Sequence, residues 1–144
     1  MRTKVFPGNY ESLSIIAEFV RQAAEEVGLD PCATYAVETA VDEACSNIIE
    51  HAYGGENIGD IVCTCFIKSS ELVIQLQDTG RSFNPDLVED PDITAPLEER
   101  ENHGLGLYMM RQWMDEVRFS FDDGINTLTM VKRKETVCYW PFPG

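Results

Sequence analysis

The sequence predicts an α+β fold, a two-layer α/β sandwich with a mixed, mostly antiparallel sheet and about three helices on one face. Helical apolar spacing and period-two alternation occupy separate stretches, whereas a doubly wound parallel sheet would interleave them strictly. The strand-like runs come as neighbouring pairs joined by short turns. A length of 144 residues suits one domain with a core of its own, and residues 1–144 are read as that single domain.

TKVFPGN begins as a short strand that ends at Pro7-Gly8. Residues 10–27 place Leu13, Ile16, Ala17, Val20, Ala24 and Val27 at helical spacing, and Gly28 stops that helix. Asp30 is the expected cap of a second helix, with Pro31 in its first turn. This helix should run to Tyr53 and end at Gly54-Gly55. DIVCTCFIK and LVIQLQD alternate with period two around a turn at Ser69-Ser70-Glu71. From Thr79 to His103 periodicity disappears in a stretch rich in proline and carboxylates, which reads as a long loop. GLGLYMMRQWMDEV restores a helix, with Leu107, Met110, Met114 and Val117 on one side. VRFSFDDGINTLTMVKR closes as a hairpin around Asp123-Gly124, and an apolar, proline-rich tail follows.

The formal charge of -14 and pI near 4.3 exclude a direct nucleic-acid binder, which needs a basic footprint, and favour partners with basic patches. No apolar run is long enough to cross a membrane, and the N-terminus lacks the pattern of a signal peptide. A cytoplasmic protein is expected. The five cysteines are scattered without metal spacing, and buried free thiols are the expectation.

Three stretches carry chemistry. In VDEACSNIIEHAY, Glu43, Asn47 and Glu50 share one stripe of a helix whose opposite stripe is Val37, Val41, Ala44, Ile48 and Ala52. Such a polar stripe is usually a solvated face. Here it holds a carboxylate able to take a proton and, one turn on, an amide oxygen able to ligate Mg²⁺. Asp78-Thr79-Gly80 ends a strand, which is either a plain exit into a turn or a carboxylate placed for an exocyclic amine. His103-Gly104-Leu105-Gly106-Leu107 opens a helix, whose free N–H groups and positive end suit phosphate.

In this order the three runs, EACSNIIEHAY, DTGRSF and GLGLYMMRQWMDEV, resemble the nucleotide-binding boxes of the histidine-kinase-like (GHKL) ATPase superfamily. The resemblance covers nearly the whole chain and is nearest to the anti-sigma-factor serine protein kinases. It implies the GHKL, or Bergerat, ATP-binding fold and use of ATP with Mg²⁺. It makes Glu43 the catalytic general base and Asn47 the Mg²⁺ ligand. Asp78 would bond the adenine amino group, Gly80 shape the base pocket, and Gly104, Leu105 and Gly106 line the phosphates. Residues of about 81–103 become an ATP lid, in which Arg100 would share phosphate charge. Two positions depart from the pattern. Ser82 stands where many members have a second glycine, and Asn126 takes the place of a threonine near the adenine.

The implied function is that of a serine/threonine protein kinase that phosphorylates a small anti-anti-sigma factor and sequesters a sigma factor, with a homodimer formed through the N-terminal strand. The alternative is an ATP-binding regulatory module that captures partners without kinase activity. A sensor histidine kinase would need an upstream helical pair with a phosphoacceptor histidine, and a chaperone or topoisomerase would need further domains.

Overall fold

The computed structural model describes residues 1–82 and 102–135, with residues 102–105 as backbone alone. Most of the expected lid, with Arg100, and the apolar tail, with Cys138, lie outside the described residues.

The order is β1 (Arg2–Pro7), α1 (Ser12–Val27), α2 (Pro31–Asn47), a π-helical turn (Ile48–Ala52), β2 (Asp60–Ile67), β3 (Glu71–Asp78), α3 (Asn102–Trp113), β4 (Glu116–Asp122) and β5 (Ile125–Arg133). These five strands form one sheet in the order β1-β2-β3-β5-β4, and every pairing is antiparallel. β1 and β4 are its edges.

Local chemistry sets the helix ends. Asn9 Oδ1 accepts from both the backbone N–H and the hydroxyl of Ser12 at 3.0 Å, so α1 begins there rather than at Tyr10. Gly28 closes α1 by donating its N–H to Ala24 and Glu25. Asp30 caps α2 through the Ala33 N–H at 2.7 Å, with Pro31 at the first helical position as expected.

The helices cover one face of the sheet. Ile61, Cys63 and Cys65 of β2, Leu72, Ile74 and Leu76 of β3, and Leu128 and Met130 of β5 point into the core. Ile16, Val20 and Ala24 of α1 meet them, as do Val37, Val41 and Ala44 of α2 and Met110 of α3. Four buried alanines, Ala33, Ala36, Ala40 and Ala44, keep α2 slim between its neighbours. The other face carries polar cross-strand pairs, Thr3 with Thr64, Gln75 with Thr129 and Gln77 with Thr127.

Three elements differ from expectation. The second helix does not stay α-helical to Tyr53. From Ile48 it winds as a π turn, with the Tyr53 N–H on Ile48 O and the Gly55 N–H on Ile49 O. The third helix begins at Asn102, so Gly104 lies in its first turn and Gly106 at the start of its second, and it stops at Trp113. Buried Lys132 donates to Trp113 O at 2.8 Å and the Asp115 N–H joins Val131 O, which turns the chain into β4 and makes Val117 a strand residue. Finally, Cys45, Cys63 and Cys65 are buried and free, but Cys32 is disulfide-bonded.

Candidate functional site

A cavity of about 230 Å³ opens between the end of α2 and its π turn, the end of β3, α3 and the β4–β5 hairpin. Ala44, Ile48, Ala52, Leu107, Met110 and Phe119 give it apolar walls, and Asn47, Asp78 and Asn126 are among its few polar groups. Apolar walls with sparse, placed polar atoms suit a flat ring system with a polar edge.

Asp78 stands at the end of β3, opposite Asn126 in the strand register. Only 6% of it is exposed, so it is a buried polar residue rather than a surface turn residue. Its Oδ1 accepts the Gly80 N–H at 2.9 Å and the Asn126 amide at 2.8 Å. Burial pushes its pKa up, while the bonds from Asn126 and Gly80 pull it down. Both bonds fall on Oδ1, so Oδ2 is the atom left to receive a donor from the cavity.

Gly80 has a second reason to be glycine. A Cβ there would lie 2.5 Å from Ala52 O and 2.6 Å from Ala52 C. The opposing atoms are backbone and cannot turn aside, so the residue lets the β3 exit seat directly on the π turn.

Glu43 and Asn47 stand one turn apart on α2. Asn47 is on the cavity wall, whereas the Glu43 carboxylate lies against the α3 backbone at Gly106. A Cβ on Gly106 would come within 2.5 Å of Glu43 Cδ. Burial raises the Glu43 pKa, and the charges of Asp42 and Glu50 raise it further. Glu50, in the π turn, accepts from Tyr10 Oη at 3.0 Å while its charge still acts on Glu43. Gly104 and Leu105 stand in the first turn of α3, with their surroundings outside the described residues.

The donor set fits Mg²⁺ in kind. Asn47 puts one amide on the cavity wall, and its oxygen is a hard ligand that Mg²⁺ accepts when phosphate oxygens and waters complete the shell.

Sequence reasoning missed the residues that fix this frame. Tyr53 Oη donates to Asp60 O at 2.6 Å and accepts the Thr79 N–H at 3.1 Å, bracing the residue after Asp78. The Arg81 N–H bonds Ala52 O at 2.8 Å, and its guanidinium reaches His51 O at 3.2 Å. His51, in the π turn, also lines the cavity. A π turn leaves no periodic mark in sequence, so the carbonyls it presents to Arg81 could not be foreseen. The HAY run was the available signal.

Asp78→Asn should keep the fold, because the oxygen of the substituted amide can still accept from Gly80 and Asn126. Calorimetry should show adenine-nucleotide affinity weaker by about 1.5–3 kcal/mol, the scale of a charge-assisted hydrogen bond. Unchanged affinity would remove Asp78 from base recognition.

Residues 6–132 match the histidine kinase-like ATPase domain family. The chain is 31% identical over 126 residues to the serine-protein kinase RsbW of Bacillus mycoides (strain KBAB4), spanning 85% of this chain and 78% of that protein. Among solved structures it resembles the RsbU and RsbW domains of a Mycobacterium tuberculosis protein, with a TM-score of 0.60 at 15% identity. That match covers 92% of this chain and 32% of the other, so this chain spans about a third of that structure. The catalytic domain of the histidine kinase ThkA aligns with a TM-score of 0.55 at 15% identity, over 93% of this chain and 99% of that domain. At such identities the two structures speak for the fold.

Proposed function

Because the chain belongs to the histidine kinase-like ATPase family, on the branch of the anti-sigma-factor serine-protein kinases, we propose that it moves the γ-phosphoryl group of Mg·ATP to a serine or threonine hydroxyl of a small partner protein. One observation carries this reading. The Glu43 carboxylate rests against α3 at Gly106, one turn along α2 from Asn47, and Asn47 shares the cavity wall with Asp78. On this reading α2 supplies the proton acceptor and the metal-ligand oxygen, and the end of β3 supplies the carboxylate for the base.

Asp78 and Asn126 would hold the adenine edge, and the start of α3 would hold the phosphates through its N–H groups and positive end. Asn47 would hold Mg²⁺, which supplies charge neutralisation on the phosphates. Glu43 takes the hydroxyl proton as the phosphoryl group leaves ATP, and its raised pKa makes it a stronger base than a solvated carboxylate. The rest of the work is positioning and electrostatics. By likeness to its relatives, the phosphorylated partner is an anti-anti-sigma factor, with a sigma factor as the alternative occupant of the protein. Edge strand β1 would be the pairing edge of a homodimer.

Turnover should rise with pH through the Glu43 pKa, on a limb placed above the ordinary carboxylate range, since the base acts only when ionised. A pH–rate profile at saturating ATP checks this, and the limb should vanish in Glu43→Gln.

The test of the proposal is capture of partners from a lysate of the source cell, followed by incubation with radiolabelled ATP and Mg²⁺ and mapping of the labelled residue. Label on a serine or threonine of a captured protein supports the kinase. Nucleotide-dependent capture without label would instead support a regulator that binds ATP and partners only.

A further inference from the structure

The β3–β5 register sets Asn126 against Asp78. Asn126 Nδ2 lies 2.8 Å from Asp78 Oδ1, 3.1 Å from Gly80 O and 3.2 Å from Arg81 O. All three neighbours accept hydrogen bonds, so only the nitrogen can face them, and the orientation of the amide is forced. The amide oxygen is thereby turned to the other side of a residue that lines the cavity. Asp78 likewise spends Oδ1 on Gly80 and Asn126, and Oδ2 on neither.

We infer that Asn126 is a specificity-determining residue, its Oδ1 standing with Asp78 Oδ2 as a pair of acceptors that selects a purine nucleotide bearing an unsubstituted amino group. An exocyclic amino group has two in-plane hydrogens, and the pair takes both. Guanine and hypoxanthine carry a carbonyl at that position and would set a third acceptor against two. This rests on the adenine-nucleotide reading above and deepens it, since Asp78 alone needs only one of the two hydrogens and would tolerate a substituent on the other.

The experiment titrates ATP, N⁶-methyl-ATP and N⁶,N⁶-dimethyl-ATP with Mg²⁺ into the protein and into Asn126→Ala. Each methyl group should weaken binding to the parent protein by about tenfold, one hydrogen bond at a time. In Asn126→Ala, ATP should bind more weakly, and the preference for ATP over the monomethyl ligand should shrink to within about twofold. A residue that merely clamps Asp78 to the Gly80-Arg81 turn would weaken both ligands alike and leave that preference unchanged. Equal affinity of the parent protein for ATP and N⁶-methyl-ATP overturns the inference without need of the variant. So does an unchanged preference in Asn126→Ala. Failure of the parent protein to bind ATP at all overturns the proposed function, and the inference with it.

Discussion

Glu43→Gln should abolish most phosphoryl transfer, by roughly 10²–10⁴-fold, while ATP binding persists. Glutamine keeps the shape of the side chain and its seat against Gly106, but it cannot accept the hydroxyl proton. Nucleotide affinity survives because Asn47, Asp78 and α3 are untouched. The same variant should be the more stable protein. The Glu43 pKa is raised in the fold, chiefly by burial and then by Asp42 and Glu50. The folded state therefore binds more protons than the unfolded chain between the ordinary and the raised value, and stability falls as pH rises through that window. Near neutral pH the half-buried charge is a standing cost that glutamine removes, so thermal unfolding should shift slightly upward at pH 7 and not in acid. A single variant that gains stability and loses turnover separates a catalytic carboxylate from a solvated helix residue. Full activity in Glu43→Gln would return Glu43 to the latter.

Gly106→Ala is the second large effect and comes from the other side of the same contact. Alanine in a helix is favoured over glycine by about 1 kcal/mol, which alone would stabilise α3. The new Cβ, however, would fall on the Glu43 carboxylate. The atoms it meets end a flexible side chain, so the fold should tolerate the change by moving Glu43 aside. A base displaced by about 1 Å costs on the order of 10²-fold in rate. Thermal stability near that of the parent, with kcat reduced on that scale and Asp78-dependent nucleotide binding retained, is the expected result. Unchanged kcat would separate Gly106 from the catalytic base.

Both variants act on a contact that sequence could only half reveal. The elements were legible where local chemistry speaks for itself. Asp30-Pro31 announces α2, Gly28 ends α1, and Asp123-Gly124, both at positive φ, turn the last hairpin. The three motifs were legible because their order survives without coordinates. Asp78 and Asn126 lie 48 positions apart, and only the sheet register joins them. The end of α3 is fixed by Lys132 reaching Trp113 O from another strand, which helical periodicity cannot anticipate. The π turn after Asn47 is likewise a tertiary decision, made where the Tyr53 N–H takes Ile48 O and Arg81 takes Ala52 O and His51 O. Glu50 lies in that turn, where it accepts from Tyr10 and still acts on Glu43 through its charge.

The most direct measurement is a crystal structure of the protein with Mg²⁺ and a non-hydrolysable ATP analogue. The adenine amino group should sit within hydrogen-bonding reach of Asp78, between the apolar walls formed by Ile48 and Met110. The phosphates should lie on the first turn of α3, with the ion on Asn47 and the terminal phosphate facing Glu43. A base bound outside this cavity, or phosphates turned away from α3, would contradict the proposed site.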